Sequence, residues 1–175
     1  MKWQKLMADS FGQVTQEAER MLKDLAAADL LRQPDKDSNS IGWLIWHLAR
    51  VQDSSIAMMA ENEQLWIKDG WYKKFKRKAD PNDIGSGHNS SDVAAFHAPD
   101  VKTLLDYLQA VSRRTQEYLY SLTAAGLDKK TKVPYFNPPP SVGQYIVAVL
   151  SDNLQHAGQA GYVRGLLKGR GWQAW

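Results

Sequence analysis

Apolar residues recur along this chain at helical spacing in four long stretches, separated by segments rich in turn formers. From Trp3 to Ala28, Leu6, Phe11, Val14, Ala18, Met21, Leu22 and Leu25 recur mostly three or four positions apart with Glu and Lys between them, which predicts a surface-facing amphipathic helix. The run Arg32 to Ser40 is a turn-forming stretch whose Ser or Asn can cap a second helix, Ile41 to Ala60. Helical spacing returns from Val101 to Ala125 through Leu104, Leu105, Leu108, Val111, Thr115, Tyr118, Leu119 and Leu122. Asn137-Pro138-Pro139-Pro140 is too rigid and too poor in donors to be helix interior, while Ser141 can cap a fourth helix ending at Lys168 before Gly169.

Between the second and third helices, residues 61–100 lose the pattern. Pro81, Gly85, Gly87 and Pro99 interrupt it, and Trp66 and Trp71 supply local anchors. The expectation is a long, partly helical connection, of a length that in compact domains is often functional. No segment alternates as strands do. The pattern therefore predicts an all-α four-helix bundle, with the first two helices as antiparallel neighbours and a crossover permitted between the second and third.

Composition changes this picture little. The 175 residues fit one domain, 1–175, able to bury a continuous core, with 43% hydrophobic and 23% charged residues. Cysteine is absent, so disulfides, thiolate ligands and a cysteine nucleophile are excluded and any metal must be held by nitrogen and oxygen. No apolar run reaches membrane-spanning length and the N-terminal stretch lacks a signal-peptide layout, so a cytoplasmic protein is expected. The net charge of +3 arises largely from Lys73, Lys74, Lys76, Arg77 and Lys78, read as a solvated basic loop, and no nucleic-acid partner is expected.

The candidate chemistry lies on the inward faces. On the second helix His47 shares its stripe with Leu44, Val51, Ser54 and Met58; on the fourth, Asp152 and His156 share theirs with Tyr145, Val149, Gln159, Val163 and Leu166. A buried Asp loses hydration that a partner must replace, so this spacing predicts either an Asp–His hydrogen bond or a metal. An i, i+4 ligand pair joined by a third ligand from a facing helix is a common way for bundles to hold a metal, and two His with one carboxylate suit zinc or non-haem iron. Around that core, Gln159 can orient His156, Tyr162 and Arg164 can meet a substrate, Arg164 through an anionic group, and His88 sits in a Gly-rich loop able to fold over a pocket but expected to be exposed. Asp53, six residues after His47, is expected on an exposed face, and His97 has less to support a role.

Two stretches carry a resemblance, Ser40-Ile41-Gly42-Trp43-Leu44-Ile45-Trp46-His47-Leu48-Ala49-Arg50-Val51-Gln52-Asp53 and the run from Ser151 to Gly165. They resemble the DinB-like superfamily, most nearly the branch labelled DUF664, over nearly the whole length. The resemblance implies a four-helix bundle with a divalent metal, zinc or nickel with iron as a further option, held by His47, Asp152 and His156. Many relatives have His at the position of Asp152; the branch similar to mycothiol-dependent maleylpyruvate isomerase has a carboxylate, usually Glu. It also implies a homodimer and chemistry on a small-molecule substrate, often through a low-molecular-weight thiol. With two neutral His and one Asp, a divalent site keeps a charge of +1 and favours an anionic fourth ligand.

Two functions follow as expectations. One is a metal-dependent transferase, isomerase or hydrolase in which a thiolate or hydroxide attacks a small electrophile. The other is a non-catalytic bundle whose polar residues form a closed network and whose Trp residues, including Trp172 and Trp175, recruit a partner or a second copy.

Overall fold

A computed structural model of the chain describes residues 1–134 and 136–169; Trp172 and Trp175 lie outside them. The helices, in chain order, are α1 (Trp3–Leu22), α2 (Ala27–Leu31), α3 (Ile41–Met59), α4 (Leu65–Lys68), α5 (Trp71–Lys74), α6 (Ser90–Ala94), α7 (Val101–Ser121), α8 (Ala124–Leu127) and α9 (Val142–Lys168). No strand is present among the described residues. The expected four-helix bundle is formed by α1, α3, α7 and α9, and the connection between α3 and α7 carries α4, α5 and α6. None of these helices is long and apolar enough to cross a membrane.

Local chemistry sets the helix ends. Ser40 accepts from Trp43 N at the start of α3, and Asp100 accepts from Thr103 N at the start of α7. Ser141 accepts from Gln144 N while Gln144 Oε1 accepts from Ser141 N, a reciprocal cap that opens α9 immediately after the prolines. Gly169, in a positive-φ conformation, closes it. The first helix stops at Leu22, six residues short of the expected Ala28, because Asp24 adopts a left-handed backbone conformation and Leu25 turns back onto the core.

Neighbouring helices pair as α1 with α7, α7 with α3, α3 with α9 and α9 with α1. α1 and α3 therefore occupy a diagonal, which corrects the expectation that they are neighbours. The physical reason is the connection, which is no tight turn: α2 lies within it and packs on α3. Asp53 meets Tyr107 near the start of α7 and Met59 meets Tyr118 near its end, so α3 and α7 run parallel. The chain must then travel back along the bundle between them, so the crossover is realised.

That return path buries α3 on almost every side. Trp66, Phe75, Val93, Phe96 and Ala98 from the connection join Trp43, Ile45, Trp46 and Leu48 of α3 in the larger core cluster. Gly42 is required here: a Cβ would come within 2.7 Å of the Leu30 carbonyl oxygen and 2.8 Å of Ala98 Cβ. A second cluster of Ala8, Phe11, Leu119, Val133, Val142, Tyr145, Ile146 and Val149 fills the other end.

The connection is also anchored by charge. Asp53, expected on an exposed face, is fully buried and accepts from Leu65 N (2.9 Å), Trp66 N (2.8 Å) and the Tyr107 hydroxyl (2.9 Å). Arg50 lies 3.5 Å from it and Arg114 likewise. The correction follows from the connection itself, whose backbone N–H groups at the start of α4 need a buried acceptor. Burial first, then the Asp53 charge, pushes the Tyr107 phenol well above its ordinary value, so it stays a donor.

Candidate metal centre

α3 and α9 run antiparallel, and this brings His47, Asp152 and His156 together: one ligating atom from each lies within 4.8 Å of the others. Asp152 and His156 are one turn apart on α9, as the i, i+4 spacing requires, with Asp152 Oδ1 3.4 Å from His156 Nε2. His47 reaches across from the second turn of α3, 6% exposed, and its ring meets that of His156 edge to face.

Each imidazole is oriented from behind. His47 Nδ1 lies 2.5 Å from the Ile84 carbonyl oxygen. A carbonyl only accepts, so Nδ1 carries the proton and Nε2 keeps its lone pair. His156 Nδ1 donates in the same way to Gln159 Oε1 at 2.8 Å, which leaves Nε2 facing Asp152 Oδ1. The Trp43 indole stacks on the His47 ring, centroids 4.7 Å apart and planes inclined by 13°. Gly85 closes the other approach; with φ +91°, it sits where a Cβ would come within 2.7 Å of His47 Nδ1.

Titration follows these surroundings. Burial is the largest influence on His47 and lowers its pKa below 6.5, with the His156 charge acting in the same direction. The hydrogen bond with Asp152 raises His156 above 6.5, and Gln159 adds to it. Burial thus favours the neutral, ligating form of His47, while the Asp152 carboxylate favours a proton on His156 that a bound cation would have to displace.

The donor set fits a divalent cation. Two imidazole Nε2 atoms and a carboxylate are the nitrogen and oxygen ligands expected of zinc or of a facial triad. Asp152 Oδ2 is buried without a hydrogen-bond partner, an orphaned acceptor that a cation would satisfy. A groove of about 1180 Å³ lined by residues such as Glu61, Arg113, Arg114 and Lys132 opens at the far end of α3 and contains none of these three residues.

The surrounding candidates divide. Gln159 is brought onto His156, as its place one turn later on the helix predicts. His88 is not exposed as expected: its side chain is 16% exposed, with Nδ1 accepting from Trp43 Nε1 at 3.1 Å and Nε2 3.4 Å from Asp83 Oδ1. Tyr162 is 69% exposed on the outer side of α9. Arg164 donates to the Met21 and Lys23 carbonyl oxygens, closing the C-terminal end of α1. Leu166, placed on the inward stripe by its spacing, is exposed because Val163 and Leu167 carry the face of α9 that packs on the core there. His97 is exposed. The backbone carbonyl of Ile84 has no counterpart in the sequence pattern; the glycines beside it were the available signal.

Comparison with known proteins bears on the fold that carries these residues. No curated protein matches the chain. A solved structure from Enterococcus faecalis, described as a conserved protein, is similar with a TM-score of 0.88 and 26% identity over 97% of this chain and 99% of that one. Residues 10–160 match the family model of the DinB superfamily. With that match spanning most of the chain, and with the helical bundle that carries it, the protein belongs to the DinB superfamily.

Proposed function

We propose that this protein is a metal-dependent enzyme that activates a low-molecular-weight thiol, or water, for attack on a small electrophilic substrate. The carrying observation is the buried, unpartnered Asp152 Oδ2 beside two imidazoles whose Nδ1 atoms are already engaged. Bound there, a divalent cation with an open position, zinc or nickel in the first instance and iron as a further option, would lower the pKa of a thiol or water reaching it. The chain's own part is to orient His47 through Ile84, to orient His156 through Gln159, and to supply one negative charge at Asp152. The net charge of +1 left on such a site favours an anionic nucleophile.

The test is metal analysis of protein prepared without chelators, followed by calorimetric titration with zinc and nickel and by thiol-transfer and hydrolysis assays. The proposal expects one equivalent bound in the wild type and none in His156→Ala. Equal metal content in both proteins overturns it.

A second reading, an interaction module, is favoured by the outer face of α9. Val147, Leu154, Tyr162 and Leu166 are exposed there, and between Val142 and Val163 the only acidic or basic side chains are Asp152 and His156, both in the candidate site. An uncharged apolar face meets its own copy across a two-fold axis without repulsion. Sedimentation of the wild type against Leu154→Lys tests a homodimer: a monomeric wild type removes this reading.

A further inference from the structure

The segment Pro81 to His88 carries a single carboxylate, Asp83, and side chains from three parts of the chain converge on that residue. Arg77 donates to the Asp83 carboxylate twice, from Nε at 2.6 Å and from Nη2 at 3.1 Å. His88 Nε2 lies 3.4 Å from the same carboxylate. The Asp83 backbone carbonyl accepts from Arg50 Nε at 3.1 Å, and Arg50 Nη2 also donates to the Pro81 carbonyl at 3.1 Å. Asp83 thus joins three cationic or protonatable side chains from α3, from the residues after α5, and from the Gly87-His88 turn.

The next residue is Ile84, whose carbonyl receives His47 Nδ1–H, and the one after it is Gly85, packed against the His47 ring. Arg77 is itself fixed over the Trp46 ring, 4.8 Å from its centroid. This corrects the reading of the 73–78 run as wholly solvated: the lysines are exposed, but the arginine is bound. Bidentate Arg–carboxylate pairs fix orientation as well as position, since the planar fork matches the two oxygens.

We infer that Asp83 and Arg77 are positioning residues for the metal centre: they act through the Ile84 carbonyl to hold the His47 proton on Nδ1 and its Nε2 lone pair toward Asp152 and His156. The inference rests on the proposed metal-binding reading of the site. It adds that the long connection sets ligand geometry rather than only covering the core. Among the described residues the Ile84 carbonyl is the acceptor that holds the proton on Nδ1, and a proton on Nε2 blocks the ligating lone pair. Loss of such outer contacts weakens metal binding about 10- to 100-fold in known sites.

The test compares wild type, Asp83→Asn, Arg77→Gln and Arg77→Lys. Zinc alone is the probe, with affinity measured by chelator competition. The His47 tautomer is read by nitrogen NMR on metal-free protein, and melting temperature is recorded for each. The expected result is zinc binding weakened about 10- to 100-fold in Asp83→Asn and Arg77→Gln, a mixed His47 tautomer in both, and partial recovery in Arg77→Lys. A merely structural role lowers the melting temperature and leaves the tautomer on Nδ1. Wild-type zinc affinity and an unchanged tautomer in both variants overturn the inference. If the wild type binds no zinc, the metal reading fails by itself, and the tautomer of the metal-free variants still decides whether Asp83 positions His47. Should Asp83→Asn not fold, the Arg77 pair carries the same decision.

Discussion

The ring of His156 meets the ring of His47 edge to face, with centroids 4.6 Å apart and planes inclined at 83°. Two imidazoles from antiparallel helices in this relation, each with Nδ1 engaged elsewhere, direct their Nε2 atoms to common ground beside Asp152. A ligand that binds only the folded chain stabilises it by mass action, by about 2.7 kcal/mol at a hundred times its dissociation constant. Zinc or nickel is therefore expected to raise the melting temperature of the wild type, and His47→Ala is expected to abolish that rise. Differential scanning calorimetry with and without metal checks both.

Metal binding should weaken on acidification, beginning above pH 6.5. His156 carries a raised pKa through Asp152, and its proton must leave before Nε2 can ligate. In metal-free protein the two histidines act on stability with opposite sign. The His156 contribution is present below 6.5 and is lost as pH rises through its raised folded value. His47 has a depressed folded value, so its contribution is present above 6.5 and is lost as pH falls through that value. Chelator competition across pH 5.5 to 8.5 and proton release on binding measure the first effect; pH-dependent unfolding of His156→Gln against wild type measures the second.

Asp53→Ala should destabilise the protein severely. It removes the acceptor of two backbone N–H groups at α4 and leaves Arg50, itself fully buried, without its carboxylate. Breaking a buried pair in this way costs about 3–5 kcal/mol. Urea denaturation is the measurement, and a loss under about 1 kcal/mol would show that Asp53 is not the anchor of the connection.

Gly42→Ala should destabilise through crowding. The added methyl meets the Leu30 carbonyl and Ala98 Cβ, one a backbone atom and neither at the end of a flexible side chain. Overpacking of this kind costs about 1–3 kcal/mol. Thermal unfolding compares it with Gly158→Ala, where nothing lies within 4 Å of the added atom and helix propensity should make the change neutral or favourable.

The four long helices were legible because apolar side chains at three- and four-residue intervals must share a face, and because Ser40 and Ser141 supply caps from their own side chains. The same spacing placed Asp152, His156 and Gln159 in register, since an i, i+4 relation is local to one helix. His47 could be assigned an inward face in the same way. Asp53 and Arg77 were misread because their partners are distant: a charge reads as solvated until the chain brings a backbone N–H or a carboxylate to it.

What the sequence by itself determined is therefore local, namely which stretches are helical, where they begin, and which polar residues face inward on each. That His47 stands opposite Asp152 and His156 was decided only when α3 and α9 packed antiparallel, and that α1 lies diagonal to α3 was decided by the long connection. The Ile84 carbonyl that sets the His47 tautomer carries no side-chain identity at all. Periodicity specifies faces, but only packing specifies which faces meet, and a backbone oxygen becomes a partner only through the path of the chain around it.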